Sequence, residues 1–169
     1  EVVANHLSKL RKCQLVVDPL MISSTGAPLI KPSAIKALVN SLLPIAKLVT
    51  PNLDEASTLA KQPVRDQEGM REAARHIYDQ FGCAVLVKGG HLKTSEAIDL
   101  FYDGKEELLL SAPRSKQISP PGTGCTYSSA ITGYLAKGEP LVSAVVLAKQ
   151  YITKSFENVY RAGKYNFLG

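Results

Sequence analysis

The stretch Pro120-Pro-Gly-Thr-Gly-Cys-Thr-Tyr brings flexible residues to the expected start of a helix. Glycines leave backbone N–H groups unobstructed, and a helix N-terminus adds partial positive charge. Gly122, Thr123, Gly124 and Cys125 can therefore cradle an anion, with phosphate the natural occupant. The same residues equally suit a tight turn capped by Thr123. Neither common phosphate motif fits. The G-x-G-x-x-G pattern fails at Tyr127, and Gly133 to Gly138 runs into Glu139 and Pro140, where a P-loop needs Lys and Ser or Thr. A helix start with nearby amide donors favours the thiolate form of a cysteine. Cys125 thus either takes a proton from a substrate hydroxyl, contacts the substrate, or is an unreactive small core thiol. Cys13 and Cys83, at the starts of apolar runs, are read only as core thiols.

Three further positions carry charge where chemistry can use it. In Thr50-Pro-Asn-Leu-Asp-Glu, Asn52 and Glu55 have the spacing of a capping box. Alternatively, Glu55 organises Mg²⁺ and its waters near phosphates, since Mg²⁺ keeps several waters and uses few carboxylates. Lys88 ends an apolar run and precedes Gly89-Gly90. It either neutralises phosphate at the carboxyl end of a strand or is an exposed strand-end lysine. Asp18 orients a metal or an acceptor hydroxyl, or simply belongs to an Asp-Pro strand exit. His91 reads as a loop residue.

The elements that must position these groups follow from periodicity. Cys13 to Pro19, Ala46 to Asn52 and Cys83 to Gly90 are short apolar runs without alternation, as expected for strands covered on both faces in a parallel sheet. Helices are expected over Pro32 to Leu43 and Asp66 to Phe81, the latter stopped at Gly82. A helix over Glu1 to Lys12 precedes the first run. Ala97 to Tyr102 and Glu106 to Ala112 flank Asp103-Gly104, a strong hairpin signal. After a polar connection over Ser115 to Pro121, one helix runs from the Gly122 region to Lys137. A last helix carries Leu141, Val145, Ala148, Ile152, Phe156 and Val159. The alternation reads as a single α/β domain over 1–169.

Composition narrows the function class. The 169 residues are 45% hydrophobic and 21% charged, which excludes disorder and a disulfide-stapled mini-protein. A formal net charge of +5 without a basic block reads as a solvated surface, so no nucleic-acid partner is expected. Three widely spaced cysteines without a C-x-x-C pair fit a reducing, cytoplasmic setting. No apolar run is long enough for a membrane span, so no membrane partner is expected.

Together, Val16-Val-Asp-Pro-Leu-Met, Val49-Thr-Pro-Asn-Leu-Asp-Glu-Ala, Val85-Leu-Val-Lys-Gly-Gly-His, Ile98-Asp-Leu-Phe-Tyr-Asp-Gly and Gly122-Thr-Gly-Cys-Thr-Tyr-Ser-Ser-Ala resemble the hydroxymethylpyrimidine and phosphomethylpyrimidine kinases of thiamine biosynthesis, a branch of the ribokinase-like family. The resemblance follows nearly the whole chain. It implies a three-layer α/β fold, with a mostly parallel central sheet and a hairpin extension. It also implies phosphorylation of 4-amino-5-hydroxymethyl-2-methylpyrimidine and its monophosphate, with ATP and Mg²⁺ as cofactors and commonly a homodimer. Residue by residue, it makes Gly122, Thr123, Gly124 and Cys125 the anion hole and catalytic position, with Cys125 also facing substrate. Asp18 is the acidic group near the transferring phosphate and, with Glu55, the metal. Lys88, Thr50 and Asn52 lie at the nucleotide, and Leu20 borders the pyrimidine.

Pro121 departs from the branch, which usually has His there. The family's N-terminal portion, which holds much of the pyrimidine site, is expected to be absent, leaving a C-terminal, nucleotide-binding portion. The alternatives are pyridoxal kinase activity, a non-catalytic nucleotide-binding fragment, and a domain of a fused thiamine-pathway protein.

Overall fold

The computed structural model describes residues 2–10, 13–22, 28–114, 120–163 and 165–169. Its centre is a five-stranded sheet in the order β1 (Val16–Val17), β2 (Leu48–Val49), β3 (Ala84–Lys88), β4 (Glu96–Tyr102) and β5 (Glu107–Pro113). The first three strands are parallel, with Val16 opposite Leu48 and Leu48 opposite Ala84. β4 and β5 add the expected antiparallel pair, with Lys88 opposite Asp99 and Leu100 opposite Leu109. Asp103 makes the tight connection by accepting from the amides of Lys105 and Glu106 at 2.9 and 2.8 Å.

Successive strand residues point to opposite faces, which is why the apolar runs do not alternate. Val17, Val49, Val85, Val87 and Leu100 enter one core beneath α3 (Leu53–Ala60) and α4 (Gln67–Phe81). Leu48, Ala84, Leu86 and Phe101 enter a second beneath α5 (Thr123–Ala136) and α6 (Leu141–Ser155). The result is the expected three-layer α/β arrangement. Leu86 and Phe101 are fully buried, and burial of such a side chain stabilises by roughly 1.5–3 kcal/mol. α4 begins where Asp66 accepts from the Gly69 amide at 2.8 Å and stops at Gly82, as its sequence indicates.

Several expectations are corrected. The first helix, α1, covers only Val2–Leu7, and Glu1, Arg11 and Lys12 lie outside the described residues. The helix expected over Pro32 to Leu43 is α-helical only over α2 (Pro32–Ala37). It widens to a π turn over Leu38–Leu42 and tightens at Leu43–Ile45, where Pro44 cannot donate to a continuing helix. The last helix ends at Ser155 rather than reaching Val159. Tyr160–Ala162 (β6) and Tyr165–Phe167 (β7) instead form a separate antiparallel hairpin, with the Tyr160 and Phe167 rings stacked 5.7 Å apart. Its aromatic residues prefer a pleated surface, and Gly163 supplies the turn at a φ of 61°. Cys13 is exposed, which overturns its reading as a core thiol, whereas Cys83 is buried. Of the connection over Ser115 to Pro121, residues 115–119 lie outside the described residues. Among the described residues, no helix is long and apolar enough to cross a membrane.

Candidate active site

Three parallel strands end on the same side of the sheet, so Asp18 after β1, Thr50 after β2 and Lys88 at the end of β3 converge there. Lys88 Nζ lies 3.0 Å from Asp18 Oδ1, with the two side chains 14% and 15% exposed. Lys88 is therefore not an exposed strand-end lysine. Its backbone is fixed too: its amide donates to the Pro51 carbonyl at 2.8 Å, and Asn52 bridges to it in parallel.

α5 closes this cluster. Gly122 begins the helix at a φ of 89°, in the left-handed region that glycine tolerates. The Thr123 hydroxyl donates to the Pro120 carbonyl at 2.7 Å, and the Thr126 amide to the Gly122 carbonyl at 2.9 Å. The first turn of α5, which carries the positive end of the helix dipole, lies beside Lys88 at Gly124. A Cβ on Gly124 would lie 3.2 Å from Lys88 Nζ, so glycine lets the ammonium approach the helix start. Cys125 is exposed on the first turn.

One turn further on, Ser128 ties the parts together. Its hydroxyl lies 2.8 Å from Thr50 Oγ1, 3.1 Å from Asp18 Oδ2 and 3.1 Å from the Gly124 carbonyl. A hydroxyl has one proton. The arrangement satisfying the most groups has Thr50 donating to Ser128 and Ser128 donating to Asp18, whose other oxygen holds Lys88. Ser128 was not singled out from the sequence. Its signal was the four-residue spacing from Gly124, which stacks both on one helix face.

Asn52 and Glu55 form a complete capping box: Asn52 Oδ1 accepts the Glu55 amide, and Glu55 Oε2 accepts the Asn52 amide, both at 2.9 Å. Glu55 Oε1 also accepts the Met21 amide at 3.1 Å and so reaches the β1 exit loop. That tether, with Met21 buried behind it, accompanies a φ of 43° at Leu20, a conformation usually costing about 1 kcal/mol or more. Leu20, two residues after Asp18, is 42% exposed. Burial pushes the Glu55 carboxyl above its ordinary value, although the two amides and Lys88 pull the other way. His91 is exposed in the loop after β3, away from these contacts.

The sequence matches the family model described as phosphomethylpyrimidine kinase over residues 1–168. It is 45% identical over 89% of its length to a hydroxymethylpyrimidine/phosphomethylpyrimidine kinase of Rhizobium meliloti, covering 56% of that protein. In three dimensions it is similar to a phosphomethylpyrimidine kinase of Clostridium difficile, with a TM-score of 0.77 and 37% identity over 90% of this chain and 61% of that one. It is also similar to the pyridoxal kinase of Staphylococcus aureus in complex with ADP, with a TM-score of 0.90 and 30% identity over 99% of this chain and 62% of that one. The chain spans only 33%, 56% and 64% of the lengths of three curated relatives.

Proposed function

Because the chain belongs to the phosphomethylpyrimidine kinase family, we propose that its site transfers the γ-phosphate of ATP to the hydroxymethyl group of 4-amino-5-hydroxymethyl-2-methylpyrimidine and then to the resulting monophosphate. The observation that carries this reading is the joining of Lys88, Asp18 and Ser128 against the start of α5. A cation lies beside the start of a helix, which suits a phosphoryl group whose charge spreads during transfer.

The acceptor oxygen attacks the γ-phosphorus in line as the bond to the ADP oxygen breaks. Cys125, exposed on the first turn of α5, receives the hydroxyl proton and borders the acceptor together with Leu20. Gly122, Thr123 and Gly124 present backbone to the phosphoryl oxygens, while Lys88, Thr50 and Asn52 lie at the nucleotide phosphates. Most of the acceleration comes from positioning and preorganised charge, and no phosphocysteine is required.

The residues fit Mg²⁺ held through water rather than in a protein cage. Among the described residues no group of three His, Cys, Asp or Glu side chains could hold a metal, and both Glu55 oxygens already accept backbone amides. Mg²⁺ characteristically keeps waters and takes one or two carboxylates plus substrate phosphates, so Asp18 and Glu55 would hold it that way. When bound, it supplies neutralisation of phosphate charge. The proposal extends to a cytoplasmic enzyme and to a homodimer.

The test is Mg-ATP-dependent ADP release by this polypeptide with each pyrimidine and with pyridoxal offered separately. Turnover with both pyrimidines, lost in Cys125→Ala, is expected. Turnover with pyridoxal alone would move the assignment to the activity named for the Staphylococcus aureus neighbour. Mg-ADP binding without turnover would make these 169 residues a nucleotide-binding unit.

A further inference from the structure

Behind the site, in a part of the fold that the proposed chemistry does not use, lies a buried ion pair. Asp99, in the middle of β4, is 5% exposed, and its Oδ2 lies 2.7 Å from Lys149 Nζ on α6. Lys149 Nζ also donates to the Ala97 carbonyl at 2.9 Å. A buried pair that is merely structural is a poor investment, because desolvation of both charges offsets their attraction. Here the second carboxylate oxygen does something specific: Asp99 Oδ1 accepts the Gly89 amide at 3.0 Å.

Gly89 follows Lys88 directly, and a Cβ on it would overlap the Ile98 carbonyl oxygen, so the turn is pressed against β4. The Lys88 amide is held from the opposite neighbour by the Pro51 carbonyl. Both peptide groups flanking the Lys88 Cα are thereby anchored, one on the β2 exit and one on Asp99.

We infer that Asp99 and Lys149 are positioning residues for Lys88: an ion pair through which α6 sets the Lys88–Gly89 peptide and thus the direction in which the ammonium leaves the sheet. A hydrogen bond from Gly89 to an uncharged group could hold the turn as well, but it would not connect the turn to α6. The pair does both. The consequence for phosphate rests on the function proposed above. The control of the turn does not.

The experiment compares wild-type protein with Asp99→Asn and with the double variant Asp99→Leu/Lys149→Met. The double variant removes both charges at similar volume and so retains the fold if the single variant does not. Thermal melting, exchange of the Gly89 amide, and Mg-ADP affinity are read on each. Expected is a folded double variant whose Gly89 amide exchanges at least about tenfold faster and whose Mg-ADP dissociation constant rises about tenfold, the scale on which supporting groups tune a ligand. KM for ATP should rise more than kcat falls.

A folded double variant with wild-type Gly89 protection and wild-type affinity would overturn the inference and leave the pair structural. If wild-type protein binds no Mg-ADP, the kinase reading fails, and Gly89 exchange alone still decides whether the pair holds the turn.

Discussion

Lys88 Nζ lies 3.0 Å from Asp18 Oδ1 although 70 residues separate them, because parallel strands deliver both to the same end of the sheet. The ion pair is partly buried and sits beside the start of α5. Asp18→Asn keeps the shape but leaves Lys88 without its countercharge. We expect kcat to fall on the order of 10²-fold, with a smaller change in melting temperature. Steady-state kinetics alongside circular dichroism checks this, and an Asp18→Asn variant with undiminished kcat would remove Asp18 from the chemistry.

Glu55 makes stability depend on pH. Burial raises its carboxyl above the ordinary 4.5, so the native state holds the proton more tightly than the unfolded chain. The associated stability is fully present below that ordinary value and is lost as pH rises through the raised native value. Glu55→Gln has no such titration, so the wild-type advantage over it should shrink as pH rises from about 4 to 7. Urea midpoints of both proteins measure the difference, and an advantage that grows with pH would contradict the raised native value.

The Tyr127 hydroxyl is buried beside the Asp99 carboxylate without a well-formed hydrogen bond among the described residues, and burial followed by that charge and its contact with the hydroxyl pushes its phenol far up. An unsatisfied buried hydroxyl costs about 1 kcal/mol or more. Tyr127→Phe should therefore be neutral or stabilising by about that amount. A loss of more than about 1 kcal/mol on chemical denaturation would mean that the hydroxyl has a partner after all.

The thiols should differ in accessibility. Cys13 and Cys125 are exposed, whereas Cys83 is 1% exposed with its thiol pushed up to about 11 by burial. Brief iodoacetamide treatment near pH 8 should add two labels to the native protein and a third only after denaturation. Mass spectrometry counts them, and rapid labelling of Cys83 would show that the bend leading into β3 opens readily.

Features governed by neighbouring residues were legible in the sequence. The Asn52–Glu55 box, the Asp103-Gly104 hairpin, the α4 helix to Gly82 and the glycines opening α5 each close within a few residues, so their residue types determine them. The three apolar runs likewise required strands covered on both faces. Tertiary structure alone decided which groups meet. Ser128 reaches Asp18 across 110 positions, Lys149 reaches Asp99 across 50, and Glu55 turns its second oxygen to Met21 across 34. It also ended the last helix at Ser155 and left Cys13 in solvent. The physical reason is that a charged or hydroxyl side chain can satisfy itself with many partners. Only the packing of two helical layers against one sheet selects the partner that is present.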